Sequence, residues 1–306
     1  MFKVYWFLLL NVILLQGKFA TGSPVRMGYE YVPEVDAWLR LHIEPAIWPD
    51  ARLRCHLEGG ALASPTTSAM SNAMIAMLAA NKLTMRHAYI GVHAFISKGD
   101  FMSMDGIPMA NLSVRWREGE PNNVKNEEYC VVLDGAGEAI DVCCNTPQPY
   151  FCRKKSEKMI VNKCGTTAEG YKFEPRTGSC YKFHRISRTW HRAAMACQAE
   201  GGHLAVINSN EEAQVLKDIF EKNPTTDIKV GNQNVAGVGV WDWNEHGEWL
   251  TIFGETLSDA GYDGWGQNEP NNVGGMEYCG TIFRDGRLDD FPCDKLIPFI
   301  CEITPS

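Results

Sequence analysis

The chain repeats itself, and that repeat limits what it can fold into more than any other feature. Cys55-His56-Leu57-Glu58-Gly59-Gly60-Ala61-Leu62-Ala63 aligns with Cys197-Gln198-Ala199-Glu200-Gly201-Gly202-His203-Leu204-Ala205. Glu120-Pro121-Asn122-Asn123-Val124 aligns with Glu269-Pro270-Asn271-Asn272-Val273, and Glu128-Tyr129-Cys130 with Glu277-Tyr278-Cys279. Cys130 to Cys144 spans 14 positions, as does Cys279 to Cys293. Cys144 to Cys152 spans 8, as does Cys293 to Cys301. The repeating unit is the size of a domain, so the chain reads as two tandem domains and not as a solenoid of short repeats. Its 306 residues suffice for two separate cores.

The boundary falls at the charged run Arg153-Lys154-Lys155-Ser156-Glu157-Lys158, after the last Cys of unit one. We read domain one as residues 24–153, a solvated linker as 154–160 and domain two as 161–306. Ahead of them, Lys3 precedes an apolar run from Val4 to Leu15, then small residues. Twelve residues, including Asn11, are too few to cross about 30 Å of hydrocarbon. The segment therefore reads as a secretory signal over residues 1–22, cleaved after Gly22. Secretion exposes the eleven Cys to oxidising surroundings, so they read as disulfides first. The net charge of −8 argues against a nucleic-acid partner and against anchoring on anionic membrane, and no segment after the signal is long and apolar enough to insert into one. Asn111-Leu112-Ser113 is an acceptor sequence for N-glycosylation.

Both units read as α+β. Trp190 to Glu200 is Ala-rich, opens after Ser187 and Thr189 and closes at Gly201, which predicts a helix. Ser209-Asn210-Glu211-Glu212 is a capping box before a second helix reaching about Phe220. Unit one has matching helices over about Pro49 to Leu57 and Ser68 to Ala80, the second with a Met stripe that reads as core. Short apolar runs at 89–92, 129–133 and 149–152 predict strands in short antiparallel sheets. Between them lies a long Gly/Asn/Pro/Trp-rich loop, and a loop of that length inside a small domain is usually functional.

The enzyme motifs are missing. No His-Glu-x-x-His or Gly-x-Ser-x-Gly occurs, and Gly135-Ala136-Gly137 and Gly237-Val238-Gly239 lack the third glycine of a dinucleotide loop. What recurs is oxygen. Glu269, Asn271, Glu277, Asp289 and Asp290 gather in unit two, and Glu120, Asn122, Glu128 and Asp141 in unit one. Carboxylate and amide oxygens suit Ca²⁺, whereas zinc prefers His and Cys. A cis bond before Pro270 would aim both flanking side chains at one point, and only X-Pro bonds adopt cis cheaply.

On these residues both units resemble C-type lectin carbohydrate-recognition domains. The markers are the Glu-Pro-Asn triplets, the Cys spacing, Glu-Gly-Gly-x-Leu-Ala after the first helix and Pro298-Phe299-Ile300-Cys301-Glu302. The tandem arrangement, with its opening from Tyr29 to His42, resembles the immulectins of insects. The resemblance implies disulfides Cys55–Cys152, Cys130–Cys144, Cys197–Cys301 and Cys279–Cys293. It also implies a Cys164–Cys180 hairpin bridge, which makes domain two the long form and leaves domain one the short form. Cys143 is left over, as a free thiol or an intermolecular link. The resemblance further implies that Ca²⁺ binds sugar directly, with Glu120, Asn122 and Glu128, and Glu269, Asn271, Glu277 and Asp289, bonding both ion and sugar. The Glu-Pro-Asn order implies mannose, glucose or N-acetylglucosamine.

Two departures from the family pattern matter. Where the family has Trp-Asn-Asp, unit two has Leu288-Asp289-Asp290 and unit one has Ala139-Ile140-Asp141. Ile140 offers no ligating atom, so weaker Ca²⁺ and sugar binding is expected in unit one. An accessory calcium site keeps Asp242 in unit two, but His246 and Tyr278 replace its acidic ligands. Unit one has Ala94 and Lys98 at such positions. The expected function is recognition of microbial surface glycans, such as mannan or lipopolysaccharide sugars, by a secreted haemolymph lectin. Blood-cell surfaces and other lectin chains are further implied partners. The alternative is a lectin fold with decayed sugar sites that works through protein–protein contacts.

Overall fold

The computed structural model describes residues 28–81, 87–156, 162–243 and 247–305. The signal segment, residues 157–160 of the expected linker and His246 lie outside them. Unit one runs β1 (Glu30–Val32), β2 (Ala37–Ala46), α1 (Trp48–Leu57), β3 (Ala61–Leu62), α2 (Ser68–Ala80), β4 (His87–His93), β5 (Met102–Ser103), β6 (Arg115–Trp116), β7 (Glu128–Asp134), β8 (Glu138–Cys143) and β9 (Gln148–Lys155). Unit two runs β10 (Lys172–Glu174), β11 (Ser179–Arg188), α3 (Trp190–Ala199), β12 (His203–Leu204), α4 (Asn210–Glu221), β13 (Val235–Asp242), β14 (Trp249–Thr251), a one-turn α5 (Leu257–Ala260), β15 (Glu277–Phe283), β16 (Leu288–Pro292) and β17 (Ile297–Ile303).

The helices start where local chemistry allows. Thr67 caps α2 by accepting from the Met70 amide at 3.2 Å. Ser209 caps α4 by accepting from the Glu212 amide at 3.1 Å, and the Glu212 carboxylate reaches back to the Asn208 amide at 2.9 Å. Met70 and Met74 are buried, as core residues of α2 should be. At the ends of α1 and α3 the repeated Glu-Gly-Gly has a steric cause. Gly59 and Gly201 take φ of +82° and +93°, which suits glycine. A Cβ on Gly60 would come within 2.4 Å of the Arg153 carbonyl, and one on Gly202 within 2.2 Å of the Glu302 carbonyl.

Each unit builds one main sheet, in the order β1-β2-β9-β4-β7-β8-β6 and β10-β11-β17-β13-β15-β16. The sheets are mixed, not wholly antiparallel as the sequence suggested. β4 and β9 run parallel at Tyr89–Tyr150, and β13 and β17 at Gly237–Phe299. The last strand of each unit inserts between two earlier ones, so it opposes one neighbour and runs with the other. Strand β9 takes in Lys154 and Lys155, which pair with Trp38 and Ala37, so the first two residues assigned to the linker are strand.

The cores repeat as well. Trp48 and Trp190 are buried and donate from the indole nitrogen to the carbonyls of Ile90 and Val238, at 3.1 and 2.9 Å. Leu39, Ile90, Leu133 and Phe151 fill unit one; Leu216, Phe220, Ile282 and Ile300 fill unit two. Five disulfides staple the units: Cys55–Cys152, Cys130–Cys144, Cys164–Cys180, Cys197–Cys301 and Cys279–Cys293. Cys143 is a half-buried free thiol. The units meet where α1 packs on α3. Arg192 donates twice to Asp50 Oδ1, at 2.6 and 3.0 Å, and Arg54 donates to Gln198 at 3.3 Å.

A buried acid cluster sits below each first helix. Glu58 accepts from Tyr29 at 2.7 Å and from Arg54 at 2.7 Å, and lies 3.2 Å from His42 Nε2. Burial pushes its pKa up, but the His42, Arg54 and Tyr29 bonds outweigh this and hold it down at about 2. Glu200 repeats the plan with Tyr171, Lys182 and His184, at 3.1, 2.6 and 3.0 Å.

Candidate functional site

The long loop of each unit returns to the sheet through a tight turn at Glu-Pro-Asn-Asn. The Glu120–Pro121 and Glu269–Pro270 peptide bonds are both cis. The flanking side chains therefore meet: Asn122 Nδ2 donates to Glu120 Oε1 at 3.0 Å, and Asn271 Nδ2 donates to Glu269 Oε2. In each unit an aspartate on the adjoining strand holds the turn's backbone. Asp141 accepts from the Asn122 and Asn123 amides at 3.1 and 2.9 Å. Asp290 accepts from the Asn271 and Asn272 amides at 2.9 and 2.7 Å. Glu128 and Glu277 close the far side by accepting from the Val124 and Val273 amides at 2.7 and 2.6 Å.

The second asparagine of each turn escaped the sequence reading as a functional residue. Asn123 and Asn272 both sit at φ 45°, in the left-handed region that Asn tolerates better than most residues. Their side-chain oxygens accept from the Glu128 and Glu277 amides at 3.2 and 3.0 Å, which fixes where β7 and β15 begin. Their signal was present, because the repeated motif is Glu-Pro-Asn-Asn-Val in both copies.

The two sites then diverge. In unit two, one carboxylate oxygen each from Glu269, Asp289 and Asp290 lies within 4.8 Å of the others, with Asp289 and Asp290 buried. Asp289 also accepts from Thr281 Oγ1 at 2.8 Å. In unit one Ile140 occupies the place of Asp289 and packs against an apolar cluster that includes Tyr89 and Val132. Crowded carboxylates resist ionisation. Burial and the nearby Asp141 push Glu120 up to about 7. Burial pushes Asp289 up to about 7 against the opposing Thr281 bond, and burial with Asp290 raises Glu269. A donor set made only of oxygens, with carboxylates this close, fits a hard cation, which would relieve the repulsion.

At the accessory position, Asp242 is buried. Its Oδ2 accepts from the Gly247 amide at 2.8 Å, while Oδ1 has no partner among the described residues. In unit one the ammonium of Lys98 lies 5.4 Å from the Tyr129 ring centre. Asn111 is exposed and ends a 3-10 turn at Met109–Asn111 whose Met109 is buried.

The family model "Lectin C-type domain" matches residues 44–154 and again 186–303, and the chain belongs to that family. The family is one of binding domains, not enzymes. The hemolymph lipopolysaccharide-binding protein of Periplaneta americana is 41% identical over 124 residues, covering 40% of this chain and 48% of that protein. C-type mannose receptor 2 of Rattus norvegicus is 26% identical over 271 residues, covering 83% of this chain and 17% of the receptor. Among solved structures, the mouse scavenger receptor C-type lectin carbohydrate-recognition domain is 27% identical with a TM-score of 0.38, covering 45% of this chain and 96% of that one. The chain thus spans about half, or less, of the length of these two curated relatives. Among the described residues, no helix is long and apolar enough to cross a membrane.

Proposed function

We propose that the chain is a secreted, calcium-dependent lectin that recognises microbial surface glycans of the mannose, glucose and N-acetylglucosamine type. The observation that carries this reading is the duplicated turn, in which a Glu and an Asn on either side of a cis proline are brought into contact with each other. In unit two, Glu269, Asn271, Glu277, Asp289 and Asp290 would hold Ca²⁺; in unit one, Glu120, Asn122, Glu128 and Asp141 would. Bound Ca²⁺ supplies a site at which sugar hydroxyls replace water. Glu269 accepts a hydrogen bond from one hydroxyl, and the Asn271 amide donates to its neighbour. That fixed donor and acceptor order selects the sugar's hydroxyl arrangement. Each site is shallow, so affinity for a single sugar is low. Two sites on one chain raise avidity toward repeating glycans. The hemolymph location and the lipopolysaccharide ligand named for the cockroach relative support the immune setting.

The test is retention on mannose-agarose with and without EDTA. Retention in calcium and release by EDTA is the expected result; retention that ignores the chelator overturns the proposal. A swap to Glu269→Gln with Asn271→Asp should shift preference from mannose toward galactose. The second reading, a protein-binding role after decay of the sugar site, is favoured in unit one by Ile140.

A further inference from the structure

We propose that unit one carries an anion-binding pocket, at its seam with unit two, that takes the phosphate group of a small phosphorylated ligand. The cavity holds about 380 Å³ and is lined by Glu58, Gly60, Arg153, Lys154, Lys155 and Thr167. That volume exceeds a bare phosphate and accommodates a group the size of a sugar attached to it.

The charge in the pocket is unbalanced. Lys154 is 7% exposed, and its ammonium rests 4.2 Å from the centre of the Tyr29 ring. No carboxylate among the described residues forms an ion pair with it. A buried ammonium that rests on a ring face and forms no ion pair has lost hydration that an oxyanion would restore. Burial accordingly lowers its pKa, against the pull of Glu58. Glu58 does not neutralise the pocket, because its oxygens are already engaged by Arg54 at 2.7 Å and by Tyr29 at 2.7 Å, with Arg40 at 3.6 Å. Arg153 is paired with Asp105 at 2.7 Å, while Lys155 is exposed. Lys154 and Lys155 therefore line the pocket beside one carboxylate, Glu58, which Arg40 and Arg54 already share, in a chain whose net charge is −8. The Glu-Gly-Gly turn keeps the floor open, since a Cβ on Gly60 would also press on the Lys154 side chain at 3.0 Å.

Unit two supplies the internal control. The same strand positions there are Glu302, Ile303 and Thr304, and Ala196 stands where unit one has Arg54. The basic pocket is thus a property of unit one and not of the shared fold. It also lies apart from the Glu-Pro-Asn turn, so it does not depend on the calcium reading.

The test is calorimetric titration of the full, disulfide-bonded chain in EDTA at low ionic strength. Three probes are used: inorganic phosphate, glucose 6-phosphate and glucose. Both phosphates should bind and glucose should not; tighter glucose 6-phosphate identifies a phosphorylated saccharide as the source, and tighter inorganic phosphate identifies the free ion. Lys154→Met should weaken phosphate binding about tenfold, the loss of a charge-assisted bond. Lys155→Glu, on an exposed side chain, should weaken it about threefold. An unchanged melting temperature of either variant reports the fold. No heat with either phosphate, or unchanged affinity in a folded Lys154→Met or Lys155→Glu variant, overturns the proposal.

Discussion

Unit one and unit two share a turn and differ in what fills it. Both fold Glu-Pro-Asn-Asn around a cis proline, and both pin it with an aspartate that accepts from two successive backbone amides. Only unit two adds Asp289 to the oxygen cluster; unit one puts Ile140 there and spends the position on packing. The scaffold and the ligand set are therefore separable. Asp141, with Glu128, keeps the turn's backbone in shape without an oxygen at position 140, so unit one retains the form of the site after losing one donor.

The sharpest way to break this comparison is to remove one ligand from each unit. Glu269→Ala should cost about a thousandfold in calcium-dependent mannoside affinity at unit two, since one group is lost to both ion and sugar. Glu120→Ala should cost less of the chain's total binding, because unit one has Ile140 where unit two has Asp289; titration of methyl mannoside into each variant decides, and a larger loss from Glu120→Ala reverses the order.

The next effect concerns what the units share. Glu58→Gln should destabilise unit one by about 3 kcal/mol, because it removes the buried charge that the half-buried Arg40 and Arg54 pair with. The Glu58 carboxyl ionises at about 2 in the fold against an ordinary 4.5, so its stabilisation is whole above pH 4.5 and is lost as pH falls through about 2. Urea unfolding between these pH values should lose part of its acid dependence in the variant, and an unaltered dependence contradicts the assignment. Glu200, also lowered, should behave likewise in unit two.

A gain of function sharpens the comparison further. Ile140→Asn restores an oxygen and an amide donor, and should raise mannoside affinity at unit one about tenfold. Placed in a Glu269→Ala background, it isolates unit one; no gain would mean that Ile140 is not what limits the site. The smallest effect should be equal in the two units. Thr67→Ala and Ser209→Ala each remove one helix cap and should cost about 1 kcal/mol, read from denaturant midpoints.

Much of this was legible in the sequence because it is local or repeated. Ser68–Ala80 was readable to its ends from its apolar, Met-rich composition and from Thr67 before it. The Glu-Pro-Asn turns were readable because two copies kept the same spacing. What stayed hidden depends on residues far apart in the chain. The parallel pairing of Tyr89 with Tyr150 leaves no mark on either strand's own pattern. The Glu58 cluster draws on Tyr29 before β1, His42 in β2 and Arg54 in α1, and a lone Glu after a helix reads as surface. Ile140 reads as an ordinary strand residue until its alignment with Asp289 shows what it displaced.

The contact between α1 and α3 has a consequence for how the chain assembles. Asp50 and Arg192 hold the same third position in their helices, yet carry opposite charge. Pairing of two first halves through that helix would set acid against acid, and of two second halves base against base. Divergence at one duplicated position has thus turned a like-charge contact into the ion pair that joins the two halves.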